Sequence, residues 1–197
     1  KKSTAKIPLA TRAIRGLFST GGASLFQVFI VVALYKYLPL DEMGLFEAAL
    51  IPVLLFAQLG NFGLSWSIIQ YKEATDLHFS SAFWANLLLG LVLTASLWAA
   101  APLIGRIYTP ESADSFPQIF RPLILLIPFA SVSHLFRARL TRDLDFHPTA
   151  RAEIVSVLCN AIVVITCMSL SYGILSPVYG AIAREIALAT ALAYYAR

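Results

Sequence analysis

Ser81-Ala-Phe-Trp84-Ala-Asn86-Leu-Leu-Leu-Gly90-Leu-Val-Leu-Thr94-Ala-Ser-Leu-Trp98-Ala-Ala-Ala101-Pro-Leu-Ile104 contains no Asp, Glu, Lys, Arg or His. A bilayer core about 30 Å thick is crossed by roughly 20 apolar residues in a helix, and this stretch is long enough to do so. Its apolar residues run on without alternating with polar ones, which disfavours a strand of a closed barrel. The same reading repeats along the chain. Spans are expected at about 16–38, 43–69, 81–104, 119–136, 154–172 and 177–195, separated by short polar or turn-rich segments. The expected architecture is therefore all-α, a polytopic membrane helix bundle of about six transmembrane helices. Pro52, Gly60 and Gly63 predict a kink or tilt in the second span, and Pro122 and Pro128 lie in the fourth.

Composition agrees with a lipid-facing surface. Of 197 residues, 58% are hydrophobic and 13% charged, and the mean hydropathy is +0.74, whereas a soluble domain needs about a quarter of its residues charged. These values exclude a soluble globule, a disordered chain and a soluble nucleic-acid binder, and the two cysteines exclude a disulfide-rich module. Cys159 and Cys167 are roughly 12 Å apart along one helix and cannot bridge within it. The basic start, Lys1 to Arg15, precedes an apolar run too long for a cleavable signal peptide, so it reads as the flank of a retained span. The chain lacks an initiator Met and stops directly after an apolar run, so a piece of a longer protein is expected.

The basic residues set the expected orientation. With the N-terminus in the cytoplasm, eleven of the fifteen fall on the inside: Lys1, Lys2, Lys6, Arg12, Arg15, Lys72, Arg137, Arg139, Arg142, Arg151 and Arg197. Only Lys36, Arg106 and Arg121 fall outside, and Arg184 lies within the sixth span. The positive-inside rule then places both ends of the segment in the cytoplasm. The formal net charge of +4 follows from topology and from attraction to anionic membrane lipids, with no nucleic-acid partner required.

Enzyme signatures are sparse. There is no HExxH pair, GxSxG elbow, Walker loop or acidic metal motif, so neither metal nor other cofactor is expected, and His78, His134 and His147 are scattered. Gly60-Asn61-Phe62-Gly63 sits in a span, where glycine commonly lets helices approach. Ala183, Ala187 and Ala191, and Gly16, Thr20 and Ser24, mark further small-residue packing faces. Polar side chains at membrane depth face protein or a watery cavity, and the spans hold Gln27, Gln58, Asn61, Asn86, Asn160, Arg184 and Glu185. A charge there costs roughly 2.5 kcal/mol or more. Arg184 and Glu185 point about 100° apart, so they do not satisfy each other alone and are either screened structural charges or cavity residues. Between the fourth and fifth spans, Arg137-Ala-Arg139-Leu-Thr-Arg142-Asp-Leu144-Asp-Phe146-His-Pro148 suggests a short amphipathic stretch at the cytoplasmic headgroups, where its arginines either anchor topology or meet an anionic lipid headgroup.

Three motifs, Gly63-Leu-Ser-Trp-Ser-Ile-Ile-Gln70, Ser80-Ser-Ala-Phe-Trp84-Ala-Asn86-Leu-Leu-Leu-Gly90, and Leu140-Thr-Arg142-Asp-Leu144-Asp-Phe146 leading to Glu153-Ile154, together resemble the polysaccharide biosynthesis proteins. These are Wzx-type flippases of the multidrug/oligosaccharidyl-lipid/polysaccharide exporter superfamily. The resemblance, which extends over roughly residues 15–197, implies a transporter that moves undecaprenyl-pyrophosphate-linked oligosaccharide across a bacterial inner membrane without covalent catalysis. It also implies two lobes around a cavity. The 197 residues look like the N-terminal lobe alone, requiring the second lobe in a full-length chain or a homodimer. Arg15, Gln27 and Asn61 would line the cavity, and Arg137, Arg139, Arg184 and Glu185 complete the expected substrate-binding set, with arginines holding the pyrophosphate. The alternatives are a drug/cation antiporter of the same superfamily, which would want an acid deep in the lobe, whereas Glu47 lies near the outer end of the second span and Glu185 is accompanied by Arg184, and a polyprenyl-carrier enzyme such as a glycosyltransferase or ligase.

Overall fold

The computed structural model describes residues 25–59, 76–108, 115–142 and 146–196, and no strand occurs among them. In chain order the helices are α1 (Leu25–Tyr37), α2 (Leu40–Leu59), α3 (Asp76–Tyr108), α4 (Phe116–Ile124), α5 (Leu126–Arg142), α6 (Phe146–Ser169) and α7 (Leu175–Tyr195). Among the described residues three stretches are long and apolar enough to cross a membrane: Leu77–Ile107, Phe116–Arg142 and His147–Ser169. The protein is an all-α membrane bundle.

Local chemistry explains where the helices start and stop. Asp41 and Glu42 occupy the first turn of α2, where carboxylates complement the positive end of the helix. The expected kink at Pro52 does not end α2, which runs through it; Gly60 and Gly63 lie outside the described residues. The expected fourth span, 119–136, lies within the single stretch Phe116–Arg142, which a one-residue turn divides into two helices. The first stops at Ile124, and Leu125 forms a turn whose N–H reaches the Pro122 carbonyl at 3.1 Å. The cause is Pro128, whose ring would clash with the carbonyl of Ile124 in a continuous helix. Restarting at Leu126 puts Pro128 in the first turn of α5, where its missing N–H is not needed. The amphipathic connector expected at 137–148 is largely absent as a separate element. Its first half extends α5 to Arg142 and its last residues open α6 at Phe146, so charges assigned to a surface segment sit on two packed helices.

The α6–α7 turn is a Schellman closure. Ser171 is left-handed at φ 62°, the Tyr172 N–H donates to the Cys167 carbonyl at 3.1 Å, and the Ser171 N–H donates to the Met168 carbonyl at 3.0 Å. This tight reversal lays α7 back along α6 in the broadest helix contact of the bundle; α7 also packs on α5, and α5 on α3 and α2. At Gly180 a Cβ would come 2.4 Å from Val164 Cγ2 and 2.5 Å from Asn160 Oδ1, so the absent side chain is what lets α7 approach α6. The α1 helix is tied to α2 by the Tyr35 hydroxyl donating to Glu47 Oε1 at 2.6 Å.

Large apolar side chains face outward as well as into the core. Phe29, Trp84 and Ile162 are exposed while Asn86, Ser131, Ser156, Asn160 and Ser176 are buried, as expected when the surrounding solvent is hydrocarbon.

Candidate functional site

The buried apolar residues form two separate clusters. The larger is built around Phe116, Phe120, Leu123, Ile124 and Ile127 with contributions from α1, α2, α3, α6 and α7. The smaller joins Leu140, Ala152, Leu188, Leu192 and Ala196. Between them each of α5, α6 and α7 turns polar side chains into the protein: Ser131, Ser133 and Arg137 from α5, Glu153 and Ser156 from α6, and Arg184 and Glu185 from α7. Asn86 on α3 lies at the same level, between the Phe83–Phe136 ring contact at 6.0 Å and the approach of Gly90 to Ser131. It is 1% exposed, and neither of its amide atoms has a hydrogen-bond partner among the described residues.

The centre of this layer is Glu153. Its Oε1 accepts from Arg137 Nη2, and its Oε2 stands 3.9 Å from Arg184 Nη2, so one carboxylate bridges guanidiniums from two other helices. Glu185 lies within electrostatic reach of Arg184, Glu153 and Arg137. Two positive and two negative side chains thus share the space, and their formal charges cancel. That cancellation is what allows four ionisable groups to sit where each alone is costly.

A polar seam continues along α6. Glu153, Ser156 and Asn160 are three and seven residues apart and share one face, spanning about 10 Å. The Ser156 hydroxyl donates to the Glu153 carbonyl at 2.8 Å. At the far end Asn160 Nδ2 donates to Gln27 Oε1 on α1 at 3.3 Å.

Of the residues expected from the sequence, Arg137, Arg184 and Glu185 come together, and Gln27 is linked to them through the α6 seam. Arg139 departs. Two residues from Arg137, it points roughly 200° away around α5, and its guanidinium lies over the Phe79 ring of α3 at 4.8 Å, beside the Phe79–Phe136 pair at 5.8 Å. Arg15 and Asn61 lie outside the described residues. Glu153 was not among the expected site residues because it closes a segment that reads as a connector. The signal that finds it is the Glu153–Ser156–Asn160 spacing, a one-sided polar stripe entering the apolar run of this helix.

The arrangement offers guanidinium donors suited to an anionic oxygen cluster, next to acceptors suited to hydroxyls. The family described as polysaccharide biosynthesis protein matches residues 34–197. The lipopolysaccharide biosynthesis protein WzxC of Escherichia coli is 30% identical over 121 residues, 60% of this chain and 24% of that protein. The succinoglycan biosynthesis transport protein ExoT of Rhizobium meliloti is 29% identical over 163 residues, 81% of this chain and 32% of its own length. The teichuronic acid biosynthesis protein TuaB of Bacillus subtilis is 26% identical over 103 residues, 52% and 21% respectively. The matched region spans about a third or less of each of these relatives. No solved structure matches significantly. With residues 34–197, most of its length, matched, the chain belongs to the polysaccharide biosynthesis protein family.

Proposed function

We propose that these residues form one lobe of a flippase that moves a lipid-linked oligosaccharide from the cytoplasmic to the outer leaflet of a bacterial inner membrane. The observation that carries this reading is the ionic group Arg137–Glu153–Arg184 at the head of a polar seam inside an apolar bundle. A polyprenyl diphosphate carries at least two negative charges into a low-dielectric region and needs compensating cations there. Arg137 and Arg184 supply them. Gln27 and Asn160 offer hydrogen bonds to sugar hydroxyls. Arg139, held over Phe79, guides the headgroup from the rim rather than from the seam. The opposing wall of the cavity comes from a second lobe or a second copy, with the termini of this segment cytoplasmic. ExoT is named a transport protein, which supports transport over polyprenyl-carrier catalysis.

In the full-length protein, Arg137→Ala and Arg184→Ala should each reduce surface-glycan export at least about tenfold, the size of one lost charge-assisted contact, while membrane insertion persists. Lys at either position should rescue only partly, because it lacks the bidentate fork. Wild-type export by both Ala variants in a flippase-deficient strain would remove these arginines from transport.

A further inference from the structure

We infer that Glu153 is an exchangeable internal anion: it occupies Arg137 and Arg184 in the empty site, and a diphosphate headgroup replaces it. The inference rests on the reading of these arginines as the headgroup site, and adds how the site is kept neutral when empty.

Three features of the geometry lead to it. First, the two carboxylate oxygens are divided between the two arginines, Oε1 toward Arg137 and Oε2 toward Arg184, which is how two oxygens of a phosphate group would be shared. Second, the hold on Arg184 is incomplete. Its 3.9 Å contact is an ion pair but too long for a hydrogen bond, and Arg184 Nε is buried with no partner among the described residues. A guanidinium has five N–H donors, so a ligand with more acceptor oxygens than a carboxylate gains bonds that Glu153 leaves unmade. Third, access is asymmetric. The Arg137 and Arg184 side chains are 37% and 35% exposed while Glu153 is 15% exposed, so an arriving anion meets the guanidiniums before it meets the carboxylate.

Exchange rather than simple addition follows from charge. With Glu153 between the two arginines, a diphosphate added without displacement would face its carboxylate at close range. Turning Glu153 away frees both guanidiniums. Its return offsets part of the cost of releasing the headgroup on the far side, so the carboxylate serves both capture and discharge. Glu153 is in this sense a positioning residue, acting on the ligand through the arginines.

The test is binding of inorganic pyrophosphate to the purified full-length protein by titration calorimetry. Glu153→Gln keeps the shape and removes the competing charge, and it should bind pyrophosphate about tenfold more tightly than wild type, as expected for losing one charge-assisted competitor. Arg137→Gln and Arg184→Gln should each lose most of the binding, and Glu153→Gln combined with Arg137→Gln should show no gain. A merely structural role for Glu153 predicts the opposite sign, weaker binding. If Glu153→Gln does not fold, Glu153→Asp, which draws the carboxylate back by one methylene, should show a smaller gain of the same sign. Unchanged or weaker binding in the folded Glu153 variant, with the arginine variants still defective, overturns the exchange and leaves the arginine site standing. Binding that is absent in wild type, or indifferent to both arginines, overturns the arginine site and the exchange with it.

Discussion

Gly180 shows how one missing side chain organises the site. Asn160 donates to Gln27 with one end of its amide, and the other end lies 2.5 Å from where a Gly180 Cβ would sit. Alanine there must push Asn160 or the stiff Val164 aside. Overpacking of this kind costs about 1–3 kcal/mol, against roughly 1 kcal/mol gained from better helix propensity. Gly180→Ala should therefore destabilise the protein by about 1 kcal/mol and disturb the Gln27 contact. Gly44, with nothing within 4 Å of its would-be Cβ, is the control: Gly44→Ala should be neutral or stabilising. Thermal unfolding in detergent reads both, and equal shifts for the two variants would show that the close contact does not limit packing. The same scale separates Arg137 from Arg139. The two were expected to act together, but a two-residue step turns one toward Glu153 and the other over Phe79.

At the scale of elements, the break at Leu125 and the turn at 170–174 decide which faces meet. Pro128 was legible in the sequence as a perturbation of the fourth span; that it splits the span into α4 and α5 follows from its clash with the Ile124 carbonyl. The turn gives a prediction. Ser171 holds φ 62°, a conformation that costs a non-glycine residue roughly 1 kcal/mol. Ser171→Gly should raise stability by about 0.5–1 kcal/mol, since glycine adopts this region freely. Gly173, at φ 55°, should respond in the opposite direction: Gly173→Ala should cost about 1 kcal/mol. The difference in unfolding midpoint between the two variants is the measurement, and midpoints that coincide would remove backbone strain as the determinant of this cap.

For the whole molecule, the positive-inside asymmetry gives a directional expectation. Single cysteines at Ser112 and Ser171, in a background lacking Cys159 and Cys167, should react with an impermeant thiol reagent from outside the cell. A cysteine at Thr141 should react only after the membrane is opened, and labelling of all three from one side would overturn the arrangement. The apolar runs, read from sequence alone, determine that the chain is a helical membrane bundle, because every backbone polar group in hydrocarbon must be satisfied within its own helix. The charge at Arg184 likewise determines that a polar partner is needed, since exposure to lipid is too costly. Which partner it finds is a tertiary matter. Glu153 lies 31 positions earlier in the sequence, on a different helix, and it meets Arg184 and Arg137 because the Ser171 turn and the Gly180 contact set the register of α7 against α6 while α5 packs against α7. Hydrophobic periodicity depends on neighbours along one helix and is carried by the sequence; charge pairing between helices depends on their relative rotation and sliding, which only the packed structure decides.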